Sequence, residues 1–128
     1  MKYYKVKRFA GEAKKNDVSD SMLTNIATEF VDAPESARQQ YSLGAGLYKL
    51  RLASKSGAGK SGGSRSILAF KKEKMLIWLH LYSKNEKGNI SHSELVDLKK
   101  LANILLNATE AQLARLVKNG GLEEIINV

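Results

Sequence analysis

Leu47-Tyr48-Lys49-Leu50-Arg51-Leu52-Ala53 is the stretch whose reading decides the fold. Side chains alternate with a period of two, the spacing of a β-strand. Lys49, Arg51 and Ala53 fall on one side; Tyr48, Leu50 and Leu52 fall on the other. After a glycine-rich loop, 54–63, two more apolar runs follow, Ser64 to Phe70 and Met75 to Ser83. The turn Lys71-Lys72-Glu73-Lys74 joins them into a hairpin. Arg65, Ile67 and Ala69 share a side opposite Leu68 and Phe70. In the third run the alternation puts Met75, Ile77, Leu79 and Leu81 on an apolar side. It puts Leu76, Trp78, His80, Tyr82 and Lys84 on a more polar one. Three short strands with short connections predict an antiparallel meander. One face needs helices over it; the other collects Lys49, Arg51, Arg65, His80 and Lys84.

The same stretch carries the charge. From Leu47 to Lys87 ten Lys and Arg stand against two acids, Glu73 and Glu86, an excess equal to the +8 of the whole chain. The remaining segments cancel among themselves. A basic excess confined to one sheet-like segment is an electrostatic footprint for a polyanion.

Outward toward the N-terminus, Tyr3-Tyr4-Lys5-Val6-Lys7 alternates and reads as a first strand. Phe9 to Lys15 predicts a helix with Phe9, Ala10 and Ala13 inward. Ser19 is suited to cap the next helix, in which Val18, Met22, Leu23, Ile26, Ala27 and Phe30 recur at helical spacing. Pro34 forbids its continuation, and Glu35 to Ser42 reads as a polar turn. Outward toward the C-terminus, Ser91 and Glu94 form a capping box, with Ile90 and Leu95 as its hydrophobic staple. Leu95, Leu98, Leu101, Ala102 and Leu105 make an apolar stripe. Thr109 and Gln112 form a second capping box, for a short helix to Lys118 that Asn119-Gly120-Gly121 stops. Leu122 to Val128 reads as an edge strand.

Composition bounds the rest. A chain of 128 residues, 43% hydrophobic with one proline, fits a single domain over 1–128 with a modest core. No apolar run is long enough for a membrane span, and Met1 to Arg8 lacks the apolar stretch of a secretory signal; a cytoplasmic location is the expectation. With no cysteine, disulfides, thiolate catalysis and cysteine zinc sites are excluded. His80 and His92 are the only histidines, and no carboxylate spacing beside them suggests a metal. No metal and no cofactor are expected.

Gly59-Lys60-Ser61 invites a phosphate-loop reading, but that pattern requires glycine where Ser54 stands and a helix where a strand follows. The loop, with Lys55 and Lys60, reads instead as a basic contact to a polyanion backbone. Its glycines also suit simple turn geometry. Lys49, Arg51 and Arg65 as a plain solvated face would repel one another, and no acid on the strands screens them. A lone histidine such as His80 is ordinarily strand filling; Lys84 beside it raises its weight. Trp78 and Tyr82 suit base stacking, although cross-strand packing is the simpler role for Trp78.

The run 47–53, the segment Gly59-Lys60-Ser61-Gly62-Gly63-Ser64-Arg65, the segment Tyr82-Ser83-Lys84-Asn85-Glu86-Lys87-Gly88-Asn89-Ile90 and the helix from Glu94 to Leu106 together resemble the RelE/HigB-like toxins of bacterial type II toxin–antitoxin systems. The resemblance spans nearly the whole chain in element order. It implies an α+β fold: a small antiparallel RelE/ParE-like sheet with helices packed on one face and a C-terminal helical extension. It implies an endoribonuclease cleaving mRNA, often on the ribosome, and a cognate antitoxin as partner. Some relatives of this fold instead poison DNA gyrase, and a basic nucleic-acid-binding module is a further alternative. By position, Lys49, Arg51, Arg65 and Lys84 would be the functional residues, with Glu86 and Lys87 beside them on the RNA. Some members end in a catalytic tyrosine or histidine; Ile125-Ile126-Asn127-Val128 has neither. The chemistry suits the residue types. Arg51 and Arg65 would take the scissile phosphate, Lys49 and Lys84 phosphate or proton transfer, and His80 would carry protons.

Overall fold

β1 (Lys2–Val6) runs directly into α1 (Lys7–Lys15), followed by α2 (Asp20–Asp32), a short α3 (Glu35–Gln39) and β2 (Ser42–Gly44). Then come β3 (Leu47–Leu52), β4 (Ser64–Lys71) and β5 (Met75–Ser83), the helices α4 (His92–Leu106) and α5 (Glu110–Lys118), and β6 (Leu122–Glu124). This computed structural model describes residues 1–52, 63–83 and 89–126. The strands form one sheet in the order β2-β3-β4-β5-β1-β6. The expected meander is its centre, with β3–β4 and β4–β5 antiparallel. β1 joins β5 in parallel, an arrangement the alternation alone does not reveal, and β6 closes the edge antiparallel to β1. The chain is thus α+β with a mostly antiparallel open sheet.

One residue decides which side chains face which core. The β4–β5 register pairs Ile67 with His80 but Leu68 with Trp78, so Leu79 is an extra residue, a bulge on β5. A bulge reverses the in–out alternation beyond it. The expected division of β5 is therefore corrected. Leu76, Trp78 and Leu81 face one core with Phe9, Leu23, Ala27, Phe30, Leu50, Leu52, Leu68 and Phe70, under α1 and α2. Met75, Ile77, Leu79 and Tyr82 face the other with Leu47, Ile67 and Ala69, under α4 and α5. Trp78 is fully buried against Phe9, ring centroids 5.7 Å apart, so it is not a base-stacking surface. Nor is the second face basic throughout: its turn-side half is apolar and covered by Ala102, Leu105 and Leu113 of the C-terminal helices.

The helix ends follow their caps. Ser19 Oγ accepts from Met22 N at 3.2 Å. Ser91 with Glu94, and Thr109 with Gln112, form complete capping boxes. On α4 only Ala102 and Leu105 are buried; Leu95, Leu98 and Leu101 are half-buried and pack against the same core. The segment read as a turn, Glu35 to Ser42, holds α3 and the start of β2. Arg38 explains the difference. It is buried, donates to the carbonyls of Val31 and Ala33, and lies over the rings of Phe70 and Phe30. A guanidinium so satisfied packs as an apolar residue would. Gly46, between β2 and β3, has φ +81°, a conformation that favours glycine, and a Cβ there would lie 2.5 Å from Leu106 Cδ1, so that side chain would have to shift.

Candidate functional site

Two rows of side chains cross the second face where the helical cover ends. The registers put Lys49, Ile67 and His80 side by side on β3, β4 and β5, and Arg51, Arg65 and Tyr82 in the next row. Arg51 and Arg65 are direct cross-strand partners. Like charges placed opposite each other cost stability, so the pair is not explained by packing. Arg51 is exposed and Arg65 half-buried.

Lys49, Arg51 and Arg65 line one depression of about 290 Å³, with Gln40, Tyr41, Ser42 and Leu43 as its far wall. That wall belongs to a stretch the sequence presents as a polar turn; the pairing of Ser42 with Tyr48 and the hydrogen bond from Lys49 N to the Tyr41 carbonyl at 2.9 Å bring it beside the cations. Arg65 Nη1 is buried, with no hydrogen-bond partner among the described residues. A charged donor left in that state is costly without a counter-ion. The depression is therefore shaped and charged for an anion.

The remaining row members differ in character. Tyr82 is buried, so what it offers the site is its hydroxyl, which reaches Asn89 Oδ1 at 3.5 Å. Burial raises its phenol above the ordinary 10.0; Arg65 opposes the rise and Glu94 adds to it. The hydroxyl is thus a proton donor at neutral pH. His80 is also buried, its ring 5.5 Å from that of Tyr82. Its Nε2 lies 3.8 Å from Glu94 Oε2, while Glu94 Oε1 accepts from Ser91 N in the capping box. His80 and Glu94 belong to an adjoining groove of about 430 Å³, lined also by Leu98, Leu101, Lys7 and Arg8, and not to the arginine depression. Lys49 Nζ donates to Asn89 Oδ1 at 3.0 Å. Glu94 and Asn89 were not among the residues singled out by sequence; the capping box was the only trace of the first.

Lys84, Glu86, Lys87, Lys55 and Lys60 lie outside the described residues. Among the described residues no group of three His, Asp or Glu could hold a metal ion, and no helix is long and apolar enough to cross a membrane.

Fold and site define a class: an α+β domain whose sheet carries cations fitted to an anion at the end its helices leave uncovered. A sequence profile of the family described as RelE toxin of RelE / RelB toxin-antitoxin system matches residues 1–125. The chain belongs to that family, the toxin half of a toxin–antitoxin pair, and an antitoxin partner comes with the membership. Among curated proteins none matches the chain.

Proposed function

We propose that the protein is a metal-independent endoribonuclease that cleaves mRNA, in association with the ribosome, and so inhibits translation. The observation that carries this reading is the depression shared by Lys49, Arg51 and Arg65, with Arg65 Nη1 buried and unpartnered among the described residues. Cleavage of RNA by its own 2′-hydroxyl needs three things. The hydroxyl must lose its proton, the pentavalent phosphorus must have its added charge stabilised, and the 5′-oxygen must be protonated as its bond to phosphorus breaks. Arg51 and Arg65 supply the second through preorganised charge. Lys49 and Lys84 hold phosphate or move protons, and His80, two strands away from Lys49, is a further proton carrier. From Leu47 to Lys84 the only acid is Glu73, in the hairpin turn, so the attacking group is taken from the RNA itself. The antitoxin is expected to place acidic side chains over the cations.

The test is cleavage of RNA in excess EDTA followed by end-group analysis. The expected ends are a 2′,3′-cyclic phosphate or 3′-phosphate and a 5′-hydroxyl, with a 2′-deoxy substrate resisting. Products with 5′-phosphates, or cleavage of the deoxy strand, overturn the mechanism. Intact transcripts together with a DNA-damage response in expressing cells would replace it with gyrase poisoning.

A further inference from the structure

We infer that Asn89 is a positioning residue for the cation cluster, holding the Lys49 ammonium across β4 and against the Tyr82 hydroxyl. The inference rests on the reading of this cluster as the RNA site. Asn89 Oδ1 accepts from Lys49 Nζ at 3.0 Å, from the backbone N–H of Ile90 at 2.9 Å, and more distantly from Tyr82 at 3.5 Å. An ammonium and a backbone N–H are donors only. The atom they converge on must therefore be the amide oxygen and not the nitrogen, so the orientation of Asn89 is fixed by its partners.

The place of those partners gives the contact its meaning. Lys49 stands on β3, and its same-face neighbour on β4 is the fully buried Ile67. Tyr82 is on β5, and Asn89 follows that strand at the approach to α4. For Lys49 to reach Asn89, its stem must lie over β4 toward β5. A long flexible side chain left to itself extends into water, and holding it in one arrangement costs rotamer entropy. The hydrogen bond to Asn89 offsets that cost and sets the ammonium beside the row containing Arg65 and Tyr82. Two of its three N–H groups remain for a ligand oxygen. The bond to Ile90 N in turn ties Asn89 to the start of α4, whose cap is Ser91. Asn89 thus couples a β3 lysine, a β5 phenol and the entry to α4 through one acceptor. Three neutral or cationic donors on one oxygen suit an amide. A carboxylate would accept the same bonds but would neutralise a cation that the site uses.

The test is a double-mutant cycle in RNA cleavage. Asn89→Ala should lower kcat roughly tenfold with KM nearly unchanged, because a misplaced charge is felt at the transition state. Added to Lys49→Ala, it should lower kcat no further. Asn89→Asp keeps the acceptor, so it should still hold the Lys49 ammonium in place while its negative charge lowers kcat, a split between position and activity that a general structural defect would not show. In the free protein, the two ε-protons of Lys49 should be distinct by NMR and merge in Asn89→Ala. Asn89 is exposed, so the variants should melt close to wild type. If wild type cleaves RNA while Asn89→Ala cleaves equally well, or if its effect adds fully to that of Lys49→Ala, the inference falls. If wild type does not cleave RNA, the proposed activity falls, and the Lys49 NMR signal alone decides the positioning: unchanged ε-protons in Asn89→Ala overturn it.

Discussion

The two halves of one sheet face are built from the same three strands and yet are opposites. Toward the β4–β5 turn, Leu47, Ala69 and Ile77 meet Ala102, Leu105 and Leu113 and are shut from water. Toward the other end, two to four positions further along the same strands, stand Lys49, Arg51 and Arg65, which line an open depression. Strand propensity does not separate the halves; the reach of α4 does. Its capping box fixes where it starts: its last turns bury Ala102 and Leu105 against the sheet, while its first turn meets β5 through Glu94, whose Oε2 lies 3.8 Å from His80 Nε2. The cations are left at the edge of the apolar core.

The largest effect is expected at the closed half. Leu105→Ala removes a buried side chain between α4 and the sheet and should cost about 2–5 kcal/mol, read from denaturant unfolding. If the variant is as stable as wild type, α4 is not the lid over this half.

At the open half the expectation reverses: chemistry suffers and stability does not. Arg51→Ala should lower RNA cleavage by about 10²-fold, the order seen when one preorganised charge donor is removed. Its melting temperature should stay within a few degrees of wild type, as for exposed substitutions generally. Loss of folding, or full cleavage, would place Arg51 outside the site.

At the far end of the closed half, where β2 turns into β3, Gly46 tests how the edge strand is held to the helix. Gly46→Ala meets both a positive φ and Leu106, and should destabilise by about 1–3 kcal/mol. A neutral result would mean that β2 and α4 yield together, and that the wall formed by Tyr41 and Ser42 is not fixed.

The division between the halves was only partly legible in the sequence. The period of two in 47–53 and the two capping boxes gave the meander and the starts of α4 and α5, because these signals are local. The bulge at Leu79 was not legible: one extra residue leaves the alternation of β5 unbroken in sequence while reversing it in space. Trp78 was for that reason read beside His80 when it packs on Phe9. Arg38 was missed because a buried arginine looks like any polar turn residue until its carbonyl and ring partners are assembled. The same holds for Asn89, whose partner Lys49 is forty positions away. The three cations themselves were legible as residues, and their common depression needed the register.

The smallest effect compares two tyrosines on this face, one in each half. Tyr4, in the closed half, has its phenol raised above 10.0 by burial and further by Glu124 and Glu110. Tyr82, in the open half, is raised by burial, but Arg65 pulls the other way and Glu94 only partly restores the rise. Below pH 10 both phenols are protonated in the folded and the unfolded chain, and the contribution to stability is fully present. As the pH rises past about 10, the unfolded chain loses these protons first while the folded chain retains them, so stability falls until the folded phenols also ionise. Replacing either tyrosine by phenylalanine removes its share of that fall. Tyr4→Phe and Tyr82→Phe should each flatten the alkaline loss of stability, and only at Tyr82 does a cation, Arg65, hold that share down. The check is the urea midpoint of each variant followed from about pH 9 to 11 against wild type, so that lysine titration common to all three proteins cancels. In an Arg65→Ala background the share of Tyr82 should grow. If it does not, the Arg65 charge does not reach the Tyr82 hydroxyl, and the row that joins arginine, tyrosine and Asn89 is not electrostatically one site.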